Sequence, residues 1–168
     1  MAEIRPAAAE DAAGIRNVHS AAFPTEVEAD LVEWLRRDGD GVISIVACDN
    51  GAVVGHVLFS RMHVLANGRK VEALGLAPVA VLPDRHRKGI GTELIEAGLR
   101  NAAALGTEMV FVLGEPEYYG RFGFAAQAAR PFASHYAGPY FQAKVVATDF
   151  ELPAVGTAEY APAFAELE

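Results

Sequence analysis

The chain has 168 residues, enough for one domain with a full hydrophobic core, and no internal stretch is polar and biased enough to read as a linker. Hydrophobic residues make up 52 % of it, much of that alanine, yet no apolar run approaches the ~20 residues needed to cross a bilayer, which argues against a membrane protein. A formal charge of −8, from 14 Lys and Arg against 22 Asp and Glu, argues against a nucleic-acid partner, whose surfaces need net basic patches.

Met1-Ala2-Glu3-Ile4-Arg5 carries neither a basic segment followed by an apolar one nor a small-residue cleavage site, so the expected location is the cytoplasm. Residues 4–6 read as a short strand. Ala12, Ile15, Val18 and Ala22 then recur at helical spacing over residues 8–22. Thr25-Glu26-Val27-Glu28 has capping-box spacing, Val27, Leu31, Trp34 and Leu35 share the next helical face, and Gly39 supplies its stop. Residues 42–48 and 53–60 are β-rich runs joined by Asp49-Asn50-Gly51, a hairpin turn, and Gly55 inside the second predicts a bulge or a close approach. Cys48, the only cysteine, excludes internal disulfides and a cysteine-rich metal site, and reads as a small buried hydrophobe.

Residues 71–82 read as one longer strand interrupted by Gly75 and Pro78, the proline implying a bulge or an edge where pairing is locally broken. Leu94, Ile95, Leu99, Ala102 and Ala103 give a helical stripe over residues 90–105, closed by Gly106. Met109 to Leu113 is wholly apolar, as a strand buried on both faces would be. Strand, helix and strand at this spacing form a βαβ unit, so the two strands should be parallel neighbours. Residues 141–148 predict one more strand before a tail ending Tyr160-Ala161-Pro162-Ala163-Phe164.

Between the longer strand and its helix the chain reads Asp84-Arg85-His86-Arg87-Lys88-Gly89-Ile90-Gly91-Thr92. Gly89 and Gly91 have no side chains to block a ligand, so backbone N–H groups at the helix start can face phosphate oxygens, where the helix dipole is already positive. Arg85, Arg87 and Lys88 reverse the sign of an otherwise acidic chain at this point. The two common phosphate fingerprints fail here: Lys88 precedes Gly89 instead of following a second glycine, and Leu94 stands where the dinucleotide pattern needs its third glycine. A turn whose glycines only let a helix pack on a strand is the other reading of the loop taken alone.

The loop does not stand alone. Val79-Ala80-Val81-Leu82-Pro83, then His86-Arg87-Lys88-Gly89-Ile90-Gly91, then the buried strand and Tyr119-Gly120-Arg121-Phe122-Gly123-Phe124 resemble the GNAT superfamily of acetyl-coenzyme A dependent N-acetyltransferases, in a bacterial branch of it. Gly55-His56-Val57-Leu58-Phe59, Leu74-Gly75-Leu76-Ala77-Pro78 and the closing Tyr160 to Phe164 extend the resemblance over nearly the whole chain. It implies an α/β (α+β) fold: a three-layer GNAT domain spanning 1–168, with a mixed, splayed β-sheet flanked by helices, a core over about 3–148 and a family-like extension over 149–168. The sheet would be splayed where Pro78 breaks the pairing, so that the cofactor slides between the parallel strands.

By the same resemblance, backbone groups of Ala80, Val81 and Leu82 would meet the pantetheine arm, and His86, Arg87, Lys88, Gly89, Ile90, Gly91 and Thr92 would hold the pyrophosphate. The family usually has Arg or Gln where this chain has His86. Tyr119 would protonate the departing thiolate, since its ordinary pKa near ~10 exceeds the ~8.5 of a thiol. Tyr118, Phe122 and Phe124 read as packing residues. Glu28 matches an acidic family position and is read either as a base or substrate contact or as the capping partner of Thr25; Glu26, Glu72, His63 and Glu115 are further base candidates. The implied reaction is direct transfer from acetyl-coenzyme A to an amine through a tetrahedral intermediate, with no acyl-enzyme and no metal, by a monomer or homodimer. Two alternatives share the fold: a non-catalytic acyl-coenzyme A sensor, and a protein N-terminal or lysine acetyltransferase.

Overall fold

The computed structural model describes residues 2–167. The strands and helices are β1 (Glu3–Pro6), α1 (Ala12–Ala22), α2 (Val27–Arg37), β2 (Gly41–Asp49), β3 (Ala52–Ala66), β4 (Arg69–Val71), β5 (Ala73–Val81), α3 (Ile90–Ala104), β6 (Met109–Leu113), α4 (Pro116–Tyr119), α5 (Ala126–Ala129), β7 (Phe132–Ala133), β8 (Phe141–Val145) and β9 (Gly156–Tyr160). The class is mixed α/β, with a sheet that combines parallel and antiparallel neighbours and is flanked by helices. The chain falls into two compact units. The first comprises the described residues up to Phe59, Ala77–Asn101 and those from Pro162 onward; the second comprises Ser60–Leu76 and Ala102–Ala161.

In the first unit β1 runs antiparallel to β2, with Glu3 opposite Cys48 and Pro6 opposite Ile45. The order continues through the first half of β3 to the end of β5, where the Leu82 N–H donates to Val54 O at 2.9 Å. Asn50 and Gly51, at φ 51° and 81°, make the β2–β3 turn in the left-handed conformation that a two-residue hairpin requires. Helix α3 packs on β3 through two glycines. A Cβ on Gly55 would stand 3.0 Å from Leu94 Cδ1, which answers the expected close approach, and one on Gly98 would stand 2.1 Å from Phe59 Cε1. Val46, Val57, Phe59, Leu94 and Ile95 are completely buried, and Cys48 is buried as a free thiol.

In the second unit β5 and β6 are parallel neighbours, as the βαβ spacing predicts. Their ladder runs only from Ala73–Met109 to Gly75–Phe111, although β5 continues to Val81 and β6 to Leu113. The broken pairing expected around Pro78 therefore falls on the β6 side of β5, whose Ala77–Pro78 peptide is cis. β6 pairs antiparallel with β8 from Met109–Val145 to Leu113–Phe141. The core here is aromatic: Phe111 stacks on Phe141 at 5.4 Å and meets the edge of Phe132 at 5.3 Å.

β8 ends at Val145 instead of residue 148, α1 starts at Ala12 instead of residue 8, and three larger differences separate the fold from the sequence reading. Residues 71–82 are not one strand: Val71 closes β4, which Asn67-Gly68, at φ 50° and 82°, turns back from β3, and β5 begins afresh at Ala73. β3 is consequently far longer than residues 53–60. The tail contributes a strand, β9, antiparallel to β3 from Met62–Tyr160 to Ala66–Gly156. Its pairing partner lies nearly 100 positions away, and no local pattern encodes that.

Candidate functional site

The first unit carries the glycine loop. β5 ends at Val81, a 3-10 turn covers Pro83–Arg85, and α3 begins at Ile90, with the Glu93 N–H donating to Gly89 O at 3.0 Å. Arg87 (φ 67°) and Gly89 (φ 78°) are both left-handed, so the backbone alternates hand across this loop. That alternation turns successive N–H groups toward one side, and the first turn of the helix adds N–H groups with no acceptor inside the helix. A Cβ on Gly89 would meet nothing within 4 Å, so the space before the loop is open. Arg87 and Lys88 are exposed beside it.

Two side chains in this stretch are engaged with the protein. The Arg85 guanidinium pairs closely with Asp49 of the β2–β3 turn, which holds the Asp49 carboxyl below its ordinary range. Arg85 therefore leaves the cationic set read from sequence, and Arg87 and Lys88 remain in it. His86 Nε2 donates to Val81 O at 2.9 Å and ties the loop to the end of β5. The Leu82 N–H is committed to Val54, so among Ala80, Val81 and Leu82 it is not open to a ligand.

On α2 the expected capping box does not form. The helix starts at Val27 with Glu26 as its N-cap, and Thr25 Oγ1 accepts only the Val27 N–H, at 3.4 Å. Glu28 does not serve Thr25: its Oε1 is buried with no hydrogen-bond partner. A buried carboxylate oxygen without a donor is costly and calls for a reason. Glu26 accepts from Ser20 Oγ at 2.7 Å and from Arg16 at 3.2 Å, which satisfies it structurally.

The second unit carries Tyr119. Pro116 opens α4, Glu115 caps it, and the Tyr119 N–H donates to Glu115 O at 3.0 Å. The Tyr119 ring meets Tyr118 edge-on at 5.0 Å and Phe124 at 6.0 Å. Gly114 makes room for it, since a Cβ there would stand 2.4 Å from Tyr119 Cε2. Burial, with a smaller contribution from Tyr118, pushes the phenol up to about 12, so it is a proton donor throughout the neutral range. Lys144 Nζ donates to Phe122 O at 2.6 Å, and the buried Gln142 amide donates to Gly114 O at 2.9 Å. These two β8 residues brace the turn that carries Tyr119. Sequence reasoning missed both, because a lone Lys and Gln in a strand look like solvent-facing positions. Of the other base candidates, Glu72 lies 3.6 Å from Lys70 and is exposed, as are His63 and Glu115. Among the described residues no group of three or more His, Cys, Asp or Glu is placed to hold a metal ion.

The chain is similar over most of its length to proteins of one family. A family model for the acetyltransferase (GNAT) domain matches residues 3–126. The uncharacterized N-acetyltransferase YhbS of Escherichia coli (strain K12) is 34 % identical over 153 residues, covering 89 % of this chain and 90 % of that protein. The uncharacterized N-acetyltransferase YjhQ of the same strain is 39 % identical over 116 residues, covering 68 % of this chain but only 64 % of YjhQ. In the crystal structure of YhbS in complex with CoA the fold superposes with a TM-score of 0.87, over 98 % of this chain and 92 % of that one, at 31 % identity. A GNAT family acetyltransferase from Brucella melitensis, solved in complex with acetyl-CoA, gives 0.79 at 34 % identity, over 98 % of both chains.

Proposed function

Since the chain belongs to the GNAT acetyltransferase family, we propose that it is an acyltransferase moving the acetyl group of acetyl-coenzyme A to a primary amine, carried on a small molecule, by direct attack of that amine. The observation that carries this reading is the β5–α3 loop, whose left-handed Arg87 and Gly89 aim backbone N–H groups at one open, cation-flanked position. The relatives solved with CoA and acetyl-CoA support the choice of donor.

Acetyl-coenzyme A supplies the activated thioester. The N–H groups of residues 87–92, with Lys88, bind its pyrophosphate, and the backbone at Ala80 and Val81 takes the pantetheine arm, with an N–H near Val81 polarising the carbonyl. Tyr119 holds a proton at its phenolic oxygen and gives it to the departing sulfur. An alkylammonium of pKa ~10.4 must lose its proton first, at about 4.6 kcal/mol at pH 7. Glu28, with its buried and unpartnered Oε1, attracts the ammonium and accepts that proton.

The test is a panel of primary amines, from short alkylamines and diamines to peptides with free N-termini, assayed for thiol release from acetyl-coenzyme A. A melting shift on cofactor addition serves as the binding control. The expected result is a stabilising shift and faster release with small amines than with peptides. No shift at millimolar cofactor overturns the donor assignment, release with peptides alone overturns the small-molecule acceptor, and a shift without release from any amine supports the sensor alternative.

A further inference from the structure

The first unit contains a cavity of about 260 Å3 that the glycine loop does not line. Its walls are apolar and short: five alanines, Ala12 of α1 and Ala29 of α2 among them, with Ile15, Val32 and Leu58. The polar group placed among these walls by β2 is the Ser44 hydroxyl. Charged side chains line it too, from α1 and α2. Arg16 is already shared among Glu26 (3.2 Å), Asp30 (2.9 Å) and Glu33 (3.0 Å), and Arg36 is exposed.

Ser44 is the last member of a buried chain of hydrogen bonds. His19 Nε2 lies 2.8 Å from His56 Nδ1, and His56 Nε2 lies 2.8 Å from Ser44 Oγ. Both rings are completely buried, and burial keeps both neutral. Each therefore carries one proton, and the chain can run in either direction. His19 Nδ1 decides between them, because it is buried with no hydrogen-bond partner. Running the protons from Ser44 toward His19 would place an N–H on that orphaned nitrogen, and buried N–H groups without acceptors are the rarer defect. In the other direction His19 donates to His56 and His56 donates to Ser44. Ser44 then accepts, and its own proton is left to point into the cavity. This polarity is the reverse of a nucleophilic serine, which must donate to its histidine.

We propose that this cavity binds a fragment-sized neutral carbonyl compound, with its oxygen accepting the Ser44 hydroxyl proton and a short branched aliphatic body filling the alanine-lined space. A carboxylate beside Ser44 would find one neutral hydroxyl there, with Arg16 already shared among three carboxylates and Arg36 exposed to solvent, and would keep its desolvation cost. An ammonium has no acceptor and would leave the Ser44 hydroxyl proton unmatched. The volume falls just below the ~300–1,000 Å3 usual for drug-sized ligands, which sets the scale at a few heavy atoms.

The probes are isovaleramide, isovalerate and isopentylamine, which share one branched body and differ in head group. Binding to the full-length protein is read as chemical-shift changes of alanine methyls and as a melting shift. The amide should bind best and perturb the Ala12 and Ala29 methyls. Ser44→Ala should weaken it about three- to tenfold, the value of one neutral hydrogen bond. Ala12→Leu, which fills the cavity from a helix that tolerates leucine, should abolish binding while leaving the melting shift with acetyl-coenzyme A intact. The proposal is overturned if no probe moves those methyls at tens of millimolar, if either charged probe binds more tightly than the amide, or if neither variant weakens the amide.

Discussion

Tyr119 is a protonated phenol at neutral pH by its own chemistry, and its surroundings reinforce this: burial raises it to about 12, and Gly114 leaves room for the ring that is buried. Tyr119→Phe keeps the ring and removes only the hydroxyl, so it should lower turnover about a hundredfold or more, from the lower end of a general acid's contribution at roughly 10²-fold, with the cofactor melting shift unchanged. Equal turnover in the two proteins would remove Tyr119 from the mechanism. Lys144→Met tests the bracing of the same turn. Losing the bond to Phe122 O should reduce kcat while KM for acetyl-coenzyme A changes little, because the β5–α3 loop proposed to take the pyrophosphate is untouched. At Arg85 the lesson is that a cation's neighbours in sequence do not name its partner. It sits one residue before His86, yet its charge is spent on Asp49, 36 positions earlier.

At the level of elements, the β3–α3 contact and the β5–α3 loop place opposite demands on glycine. Gly98 lies inside α3, where alanine would add about 1 kcal/mol of helix propensity. A Cβ there would stand 2.1 to 2.5 Å from the ring of Phe59, which is fully buried and has nowhere to turn. Overpacking of this kind costs about 1–3 kcal/mol, so Gly98→Ala should lower the melting temperature despite its better propensity. Gly89 has open space and φ 78°, so Gly89→Ala carries a conformational cost of about 1 kcal/mol with no clash. Its expected signature is a several-fold weaker affinity for acetyl-coenzyme A, by isothermal titration, with only a small change in melting temperature. A large destabilisation with normal affinity would mean that the loop serves packing and not the anion.

Over the whole molecule, acid sensitivity follows from groups that the fold has moved away from their ordinary ranges. Burial lowers His19 to about 4 and His56 to about 3, so the unfolded chain takes up protons near pH 6.5 that the folded one refuses. Stability should fall as pH drops below 6.5 and continue to fall toward 4. Asp11 is held at about 2 by the Arg5 guanidinium first and the Ala8 N–H second, and its contribution, complete above about pH 4, is lost as pH falls toward 2. Urea midpoints measured from pH 7.5 to 4.5 should decline in the wild type and stay flatter in a His19→Gln/His56→Gln double variant. Matching slopes would show that the two rings are not the cause. The helix and strand periodicities, the Asn50-Gly51 turn and the βαβ spacing were legible because each is a property of adjacent residues, and the glycine loop was legible for the same reason. Asn67-Gly68 carries an equally local turn signal in the gap between the runs read as strands over residues 53–60 and 71–82. The chain by itself thus determined its family and its main elements, and it carried the glycines of the β5–α3 loop where the anion site is proposed. What only tertiary structure decided were pairings between distant residues: β9 on β3, Arg85 on Asp49, His86 on Val81, and the His19–His56–Ser44 chain. Burial and hydrogen-bond direction exist only once those residues have met, and they decide which polar groups remain for a ligand.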